Sequence, residues 1–309
     1  ARAEVVIEAS DEPFPLMEAL VSYHRDRGDF AGALQWLWAL VKRSREPVAA
    51  SLYRHRLVDL ALSEAKSVGE AERAVLDAKL EPGLTEKLIS YRLGREDWGD
   101  ALRWLEELAQ NSTSENNPWL RRMFDLAVGD AEDVAAAERA IAMAPSPVAL
   151  IEKLVDYLLG QEAYHDALRW MEHLARDGSV EASPWLRRMF ELALGRAQDL
   201  AAAERAIEMA EEPTALIEKL VDYLLEQERY ADALRWMEKL ALSAPPENNP
   251  WLRRMFELGL GLAGDLAVSE RAIAMAVDPT GLIEKLVEHL IATERFGEAL
   301  GWLEQLASS

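Results

Sequence analysis

The sequence predicts an all-α fold built as a solenoid, in which each helical repeat packs against its neighbours. The motif Pro-Trp-Leu-Arg-Arg-Met-Phe begins at Pro118, Pro184 and Pro250, so its copies lie 66 residues apart. A second motif, Ala-Leu-Arg-Trp, follows the same period from Ala101 onward. Apolar residues recur at helical spacing, and no segment alternates as a strand would. A fixed period of this length indicates stacked helical repeats, an architecture that more often provides a binding surface than an active site.

Each 66-residue repeat is predicted to contain four helices, A to D. In the copy that starts at Pro184, helix A covers residues 184–194, with proline in its first turn and Gly195 at its end. Helix B covers residues 199–210 and ends at a Glu-Glu-Pro sequence. Helices C and D cover residues 214–227 and 231–242, each with an apolar stripe of helical period.

The period divides the chain into one partial repeat and four complete repeats of a single solenoid. The segments are 1–46, 47–117, 118–183, 184–249 and 250–309. The first residues align with a helix B, and the chain ends on a helix D without a polar capping helix. Because solenoids need capping repeats, we expect the chain to be a fragment of a longer array.

Composition and charge limit the kinds of partner that the chain can be expected to bind. The formal net charge is −21, from 55 acidic and 34 basic residues, which argues against nucleic acid and permits a cationic partner. The absence of cysteine excludes disulfides, cysteine-ligated metals and thiol catalysis. No run approaches the roughly 18 apolar residues of a membrane helix, so we expect no membrane insertion. The compartment, periplasmic or cytoplasmic, stays open.

The sequence contains no recognisable catalytic or metal-binding motif. The five histidines do not recur with the repeat and have no metal-ligand spacing; they are His24, His55, His165, His173 and His289. There is no phosphate-binding loop, nucleophile elbow or dinucleotide fingerprint. We therefore predict that the chain is not an enzyme and has no catalytic residues, metal site or cofactor.

Seven of the ten tryptophans fall into two rows that keep the 66-residue register. The helix D row is Trp104, Trp170, Trp236 and Trp302, and the helix A row is Trp119, Trp185 and Trp251. Identical placement in every repeat favours packing between repeats over ligand stacking, so both rows are predicted to be core. Trp36 and Trp38 lie two positions apart and cannot share a helix face. Exposure of one of them is the alternative to packing of both.

Helices C and D resemble the tetratricopeptide-repeat hairpin, which has an aromatic residue before its second helix and a small residue where the helices cross. The matching pairs are Phe30 and Ala33, Trp98 and Ala101, Tyr164 and Ala167, Tyr230 and Ala233, and Phe296 and Ala299. Helices A and B resemble a shorter version of the same hairpin. The resemblance implies a right-handed superhelix of TPR-like hairpins whose C helices line a concave groove.

The groove position of that family carries glutamate in every repeat. The first acidic row is Glu18, Glu86, Glu152, Glu218 and Glu284, and the second row, one turn later, is Asp156, Asp222 and Glu288. Between them the A helices present Arg122, Arg188 and Arg254. These residues predict a groove in which acidic residues of the C helices alternate with arginines of the A helices. The alternative is that glutamates and arginines of adjacent helices pair with each other to fix the stacking.

These observations favour a protein-interaction scaffold that presents its groove to a peptide or protein partner. Two alternatives remain open. Envelope proteins that guide exopolysaccharide to an outer-membrane barrel resemble this chain in having long arrays of such repeats, and an acidic groove in the periplasm would suit a cationic polysaccharide. The third hypothesis is the sensor array of a signalling ATPase.

Overall fold

A computed structural model describes residues 7, 9–10, 13–112, 117–177, 182–245 and 249–308. These residues form eighteen α-helices and no strand, so the all-helical prediction is confirmed for the described part of the chain. The truncated helix predicted at residues 3–8 lies almost wholly outside the described residues. Within the ranges given above, no helix is both long enough and apolar enough to cross a membrane.

The chain divides into two compact parts, Ala1–Tyr157 and Leu158–Ser309, and the division falls inside the helix Val148–Gly160. The helices up to that division are α1 Pro13–Asp26, α2 Phe30–Arg43, α3 Pro47–Ser63, α4 Val68–Asp77, α5 Pro82–Leu93, α6 Trp98–Asn111, α7 Pro118–Val128, α8 Val134–Met143 and α9 Val148–Gly160. Those that follow are α10 Tyr164–Asp177, α11 Ala182–Leu192, α12 Leu200–Met209, α13 Thr214–Glu226, α14 Tyr230–Ser243, α15 Pro250–Leu260, α16 Leu266–Met275, α17 Thr280–Ala292 and α18 Phe296–Ser308.

Packing in each part is between helices that are close in sequence. In the first part α1 packs on α2, α2 on α3, α3 on α4 and α6 on α7, and α3 also reaches α5. In the second part α10 packs on α11, α14 on α15, α15 on α16 and α17 on α18, and α15 also reaches α17. Such neighbour-to-neighbour packing is typical of a helical repeat array.

Small residues lie in the core where an A helix meets a B helix. Ala127 and Ala137, and their equivalents Ala193 and Ala203 66 residues later, are fully buried. The next copy has a glycine and a serine instead, in α15 and α16. A Cβ on Gly259 would lie 2.6 Å from the hydroxyl oxygen of Ser269, which donates a hydrogen bond to the carbonyl of Phe256 at 3.1 Å.

The end of helix A in the third repeat differs from the prediction. The helix was expected to stop at Gly195, but a π-helical turn, Ala193–Ala197, carries it past that residue. The chain turns at Gln198, which has φ of 51°. Glu132 and Gly264 hold the corresponding left-handed position in the neighbouring copies, with φ of 49° and 60°. The turn into helix B is therefore fixed three residues beyond the glycine.

The turn before each D helix also contains one residue in the left-handed region. These residues are Gly28 at φ 72°, Glu96 at 59°, Glu162 at 58°, Glu228 at 57° and Glu294 at 60°. In the last copy the backbone N–H of Arg295, next to the turn residue, donates to the carbonyl of Leu290 at 2.8 Å. The same backbone turn thus joins the C and D helices at every position where the sequence predicts one.

Candidate binding surface

The eleven residues predicted to line the groove are all at least partly exposed. The acidic residues lie on α1, α5, α9, α13 and α17, and the arginines lie on α7, α11 and α15. Members of the second acidic row follow the first row by four positions, which places both rows on the same helix face. The C-type helices therefore each present a carboxylate, and three of them present two.

In the first part of the chain, arginines pair with the first acidic row. Arg122 Nη1 lies 3.4 Å from Glu86 Oε1, and Arg56 Nη1 lies 3.6 Å from Glu18 Oε1. The Tyr53 hydroxyl also donates to Glu18, at 3.0 Å. Burial raises the pKa of the Tyr53 phenol, and the hydrogen bond to Glu18 raises it further. Glu18 and Glu86 are thus cross-helix partners of α3 and α7.

In the second part, the arginine pairs with the second acidic row instead. Arg254 Nη2 lies 2.6 Å from Asp222 Oδ1. The choice follows from the residue one turn after the first-row glutamate. That residue is serine at Ser22 and Ser90, but it is aspartate at position 222, where its carboxylate takes the arginine. The first-row Glu218 is left without that partner.

Four carboxylates of the two rows have no partner. Glu152, Glu218, Glu284 and Glu288 make no ion pair and no side-chain hydrogen bond with any described residue. Glu152 and Glu218 are half-buried, while Glu284 and Glu288 are exposed. A carboxylate without a counter-ion beside it adds negative potential to its own helix face.

A row of lysine–carboxylate pairs, which the sequence reasoning missed, lies beside the acidic rows. Each pair joins an acidic residue of an A helix to a lysine of the following C helix, 28 positions later. The pairs are Lys87–Asp59 at 2.5 Å, Lys153–Asp125 at 2.9 Å, Lys219–Glu191 at 3.1 Å and Lys285–Glu257 at 3.1 Å. The constant spacing, repeated with the 66-residue period, was the available signal.

The last of these pairs is reinforced by a second cation. Arg253 Nε lies 3.0 Å from Glu257 Oε1, the same oxygen that Lys285 approaches. The hydrogen bond from Arg253, followed by that from Lys285, lowers the pKa of Glu257. This carboxylate is therefore held ionised by its neighbours.

Arg92 forms a more deeply placed cluster with three carboxylates. Its side chain is 17% exposed and contacts Glu72 at 2.9 Å, Asp97 at 2.5 Å and Asp100 at 2.8 Å. Burial lowers the pKa of Arg92, but hydrogen bonds to Glu72 and Asp97 outweigh that effect and leave it raised. Because the partners come from α4, α6 and the turn before α6, this cluster joins helices and is not part of the candidate surface.

The two tryptophan rows differ in burial. Trp104 and Trp236 of the D helices are each 3% exposed, as predicted for core residues. The helix A row is only half-buried, which corrects the prediction that it is core. A guanidinium lies near two of its rings, and that of Arg254 is 5.6 Å from the ring centre of Trp251; the buried rings of Trp104 and Trp236 also have a cation beside them. The helix A row therefore lies at the border between core and surface.

The other tryptophans discussed above, which also lie on D helices, range from buried to half-buried. Trp170 and Trp302 are half-buried, which corrects the prediction that the whole helix D row is core. Trp36 is half-buried as well, while Trp38 is 9% exposed and donates its indole N–H to Glu70 at 2.6 Å. Both members of the Trp36 and Trp38 pair are thus covered by the protein, one by packing and one by packing with a hydrogen bond.

Within the described ranges, no group of three or more histidine, aspartate or glutamate residues is placed to hold a metal ion. Three histidines instead lie near single carboxylates. His24 is 2.7 Å from Asp29, and His55 is 3.3 Å from Glu81. His165 is more exposed and lies 3.6 Å from an aspartate at the start of α12.

No protein-family model and no curated protein sequence matches the chain. Among solved structures, it is similar to a "circular tandem repeat protein with novel repeat topology and enhanced subunit contact surfaces", at 17% identity and a TM-score of 0.12. The match covers 98% of this chain and 61% of that one. A "DHF58 filament" matches at 19% identity and a TM-score of 0.11, over 83% of this chain and 96% of that chain. Scores this low carry no argument about function.

Proposed function

We propose that the chain is a tetratricopeptide-like solenoid of 66-residue, four-helix repeats, wound as a right-handed superhelix, and that it acts as a protein-interaction scaffold without catalytic activity. The binding surface is formed by the two acidic rows of the C-type helices, with the arginines of the A-type helices between them. The observation that carries the proposal is the set of partnerless carboxylates at Glu152, Glu218, Glu284 and Glu288.

A lysine- or arginine-bearing segment of a partner protein is the ligand that this surface fits. A row of exposed carboxylates raises the local concentration of cations and speeds their encounter with the protein. Helix-borne side chains are already fixed in position, so less entropy is lost when an extended ligand binds. The flanking arginines would repel cationic groups that approach out of register, which restricts where the ligand's positive charges can sit.

The carboxylates that pair with arginines can also take part in binding the partner. The Arg254–Asp222 pair has side chains that are 43% and 59% exposed. Pairs with such exposure contribute little to stability, on the order of 0–1 kcal/mol. A ligand could therefore exchange with them at small cost, which extends the surface beyond the four partnerless residues.

The experiment compares two triple variants with the same change in net charge. Glu152→Gln/Glu218→Gln/Glu284→Gln neutralises the first acidic row, and Glu96→Gln/Glu162→Gln/Glu228→Gln neutralises turn residues that also keep the repeat register. Binding of a fluorescent hexalysine peptide is measured at low and high salt. We expect the row variant to lose the salt-sensitive binding and to keep its melting temperature, and the turn variant to retain most of the binding.

Two results would contradict the proposal. Equal losses in both variants would mean that the peptide responds only to net charge. A row variant that melts much earlier than the parent would mean that the glutamates hold helices together, and the partner would then bind another surface.

A cationic polysaccharide is the second candidate ligand, as in the exopolysaccharide-export hypothesis. The half-buried rings of Trp119, Trp185 and Trp251 favour it, because they leave aromatic surface accessible on the helices that bear the arginines. Repeating the titration with a deacetylated glucosamine oligomer distinguishes the two. Tighter binding of the oligomer than of a peptide with the same number of positive charges would favour the polysaccharide.

A further inference from the structure

A cleft of about 540 Å³ lies beside the start of α7 and the loop that leads from α8 into α9. Its wall includes the apolar side chains Leu120 and Leu150, and its polar groups include Arg121, Ser146 and Lys153. This volume is in the range of small-ligand sites. An apolar wall with cationic groups beside it fits a ligand that combines an aliphatic part with a negative charge.

Arg121 keeps its hydrogen-bonding capacity in this cleft. Lys153 Nζ lies 2.9 Å from Asp125 Oδ1, so that lysine is paired. Arg121 Nε lies 3.9 Å from Asp125 Oδ2, which is beyond hydrogen-bonding distance, and its side chain is 75% exposed. A guanidinium carries five N–H donors and can bind a carboxylate through two of them. Arg121 is therefore available for an anionic ligand.

The first repeat fills the equivalent place with a carboxylate of its own. His55 and Glu81 stand 66 residues before Arg121 and Pro147. Glu81 accepts a hydrogen bond from the Ser51 hydroxyl at 3.0 Å, and its carboxylate lies 3.3 Å from His55 Nε2. Replacement of the glutamate by Pro147 removes this internal carboxylate, while a basic side chain, Arg121 in place of His55, remains on the A helix.

The loop before α9 differs from its three counterparts in having no acidic residue. The counterparts contain Glu81 in the first repeat, Glu211 and Glu212 in the third, and Asp278 in the fourth. The corresponding residues of the second repeat are Pro-Ser-Pro, at positions 145–147. In the fourth repeat, the carboxylate is already bound to the backbone N–H of Thr280 at 3.2 Å. At the position of Glu81 itself the third and fourth repeats also have proline, Pro213 and Pro279, so the second repeat differs from them in having no other acidic residue in this loop.

We propose that this cleft binds a carboxylate carried by a partner protein, with Arg121 and Ser146 as donors and with a neighbouring aliphatic side chain against Leu120 and Leu150. The inference rests on the proposed scaffold function and adds one contact point to it, for an acidic group of the partner. Its test uses probes that the acidic rows would repel, so its failure would leave the hexalysine result unchanged.

The test is a titration of the full chain, labelled with nitrogen-15, with three short peptides. The peptides are acetyl-Leu-Glu-Leu-amide, acetyl-Leu-Gln-Leu-amide, and acetyl-Leu-Leu with a free carboxyl terminus. We expect saturable shifts of the Arg121, Ser146 and Leu150 signals with a carboxylate peptide and none with the glutamine peptide. Tighter binding of the glutamate peptide would identify the partner's group as a side-chain carboxylate. Tighter binding of acetyl-Leu-Leu would identify it as a chain terminus.

Variants locate the site. Arg121→Gln should weaken carboxylate binding by about tenfold, because a charge-assisted hydrogen bond is lost. Pro147→Glu, or Ser146→Glu as a second way to supply an internal carboxylate, should abolish it. Arg187→Gln, the matched change in the third repeat, should leave it unaltered. Equal binding of the glutamate and glutamine peptides, shifts confined to other residues, or no saturable shift at millimolar peptide would overturn the proposal.

Discussion

At the scale of single residues, Trp236 and Trp251 show that tryptophans of the two repeated rows can have different environments. Trp236 is 3% exposed on α14, whereas Trp251 is half-buried on α15; each ring has a cation beside it, Lys239 and Arg254 respectively. Burial of the ring is the main source of an aromatic residue's contribution to stability. The two rows should therefore respond differently to truncation.

We expect Trp236→Ala to lower the free energy of unfolding by roughly 3–5 kcal/mol, as for other large buried aromatics. Trp251→Ala should cost about 1 kcal/mol, since less ring area is buried and the stacked cation contributes little at an exposed site. Urea denaturation followed by circular dichroism measures both. Equal losses in the two variants would show that the half-buried row is as much a part of the core as the other.

Glu257 should make stability depend on pH. Its folded pKa is lowered by Arg253 and Lys285, below the unfolded value of about 4.3. A group with a depressed folded pKa stabilises the protein above its unfolded pKa, and that stabilisation is lost as pH falls through the folded pKa. Glu257→Gln should therefore melt slightly below the parent at pH 7 and equally with it at about pH 3. Glu284→Gln, at a carboxylate without a partner, is the control and should melt no earlier than the parent at pH 7.

At the scale of elements, the close approach of α15 and α16 depends on a matched pair of residues. Gly259 leaves room for Ser269, whose hydroxyl is bonded to the carbonyl of Phe256. The preceding copy has Ala193 and Ala203 at these two positions, both fully buried. The space between the two helices is therefore filled by two alanine methyl groups in one copy and by the serine side chain opposite a glycine in the next.

The pair predicts a strongly non-additive double-mutant cycle. Gly259→Ala alone should destabilise by about 1–3 kcal/mol, because the added methyl group overpacks the crossing. The double variant Gly259→Ala/Ser269→Ala should recover most of that loss, since the closest contact is gone and alanine favours helix over glycine, although the methyl group still lies 3.1 Å from the carbonyl oxygen of Asp265. Thermal unfolding of the four proteins gives the coupling. Additive effects would mean that the two residues do not share this space.

The helices could be predicted from the sequence, whereas several details of the surface could not. Apolar spacing, prolines in first turns and the repeated motifs indicate eighteen of the helices without any knowledge of packing. An A-helix arginine can pair with the first acidic row, as Arg122 does with Glu86, or with the second, as Arg254 does with Asp222. Which of the two it meets depends on how far its side chain reaches along one helical turn. The half-burial of Trp251 depends on what covers an A helix, and no sequence pattern marks the π-helical turn after α11, since the neighbouring copies have the same left-handed position without that turn. Each of these is decided by contacts between elements.

At the scale of the whole molecule, the neighbour-to-neighbour packing of the described helices in each part gives a simple expectation for truncation. Helices contact those one or two positions away in the chain, for example α14 with α15 and α15 with α17. Stability in such a system is a sum of repeat and interface contributions. Loss of a terminal repeat should therefore remove its own contribution and one interface.

Deletion of residues 250–309 should leave the preceding helices folded. We expect the mean helicity per residue of the shortened protein to match that of the parent, with a lower melting temperature because the apolar face of α14 loses its cover. Circular dichroism at equal residue concentration tests this. Loss of most of the helical signal would mean that folding is cooperative over the entire chain and not local.

The left-handed turns before the D helices imply that the protein can be made more resistant to heat without touching its core. Glu96, Glu162, Glu228 and Glu294 adopt a conformation that costs a side-chain-bearing residue about 1–2 kcal/mol, and Gly28 adopts it freely. Glycine at the other four turns would lower stability by about 0.4–1 kcal/mol each, because it enlarges the unfolded ensemble. This loss is smaller than the strain that glycine removes. The fourfold glycine variant should melt several degrees higher by calorimetry, and a lower melting temperature would show that these turns are not strained.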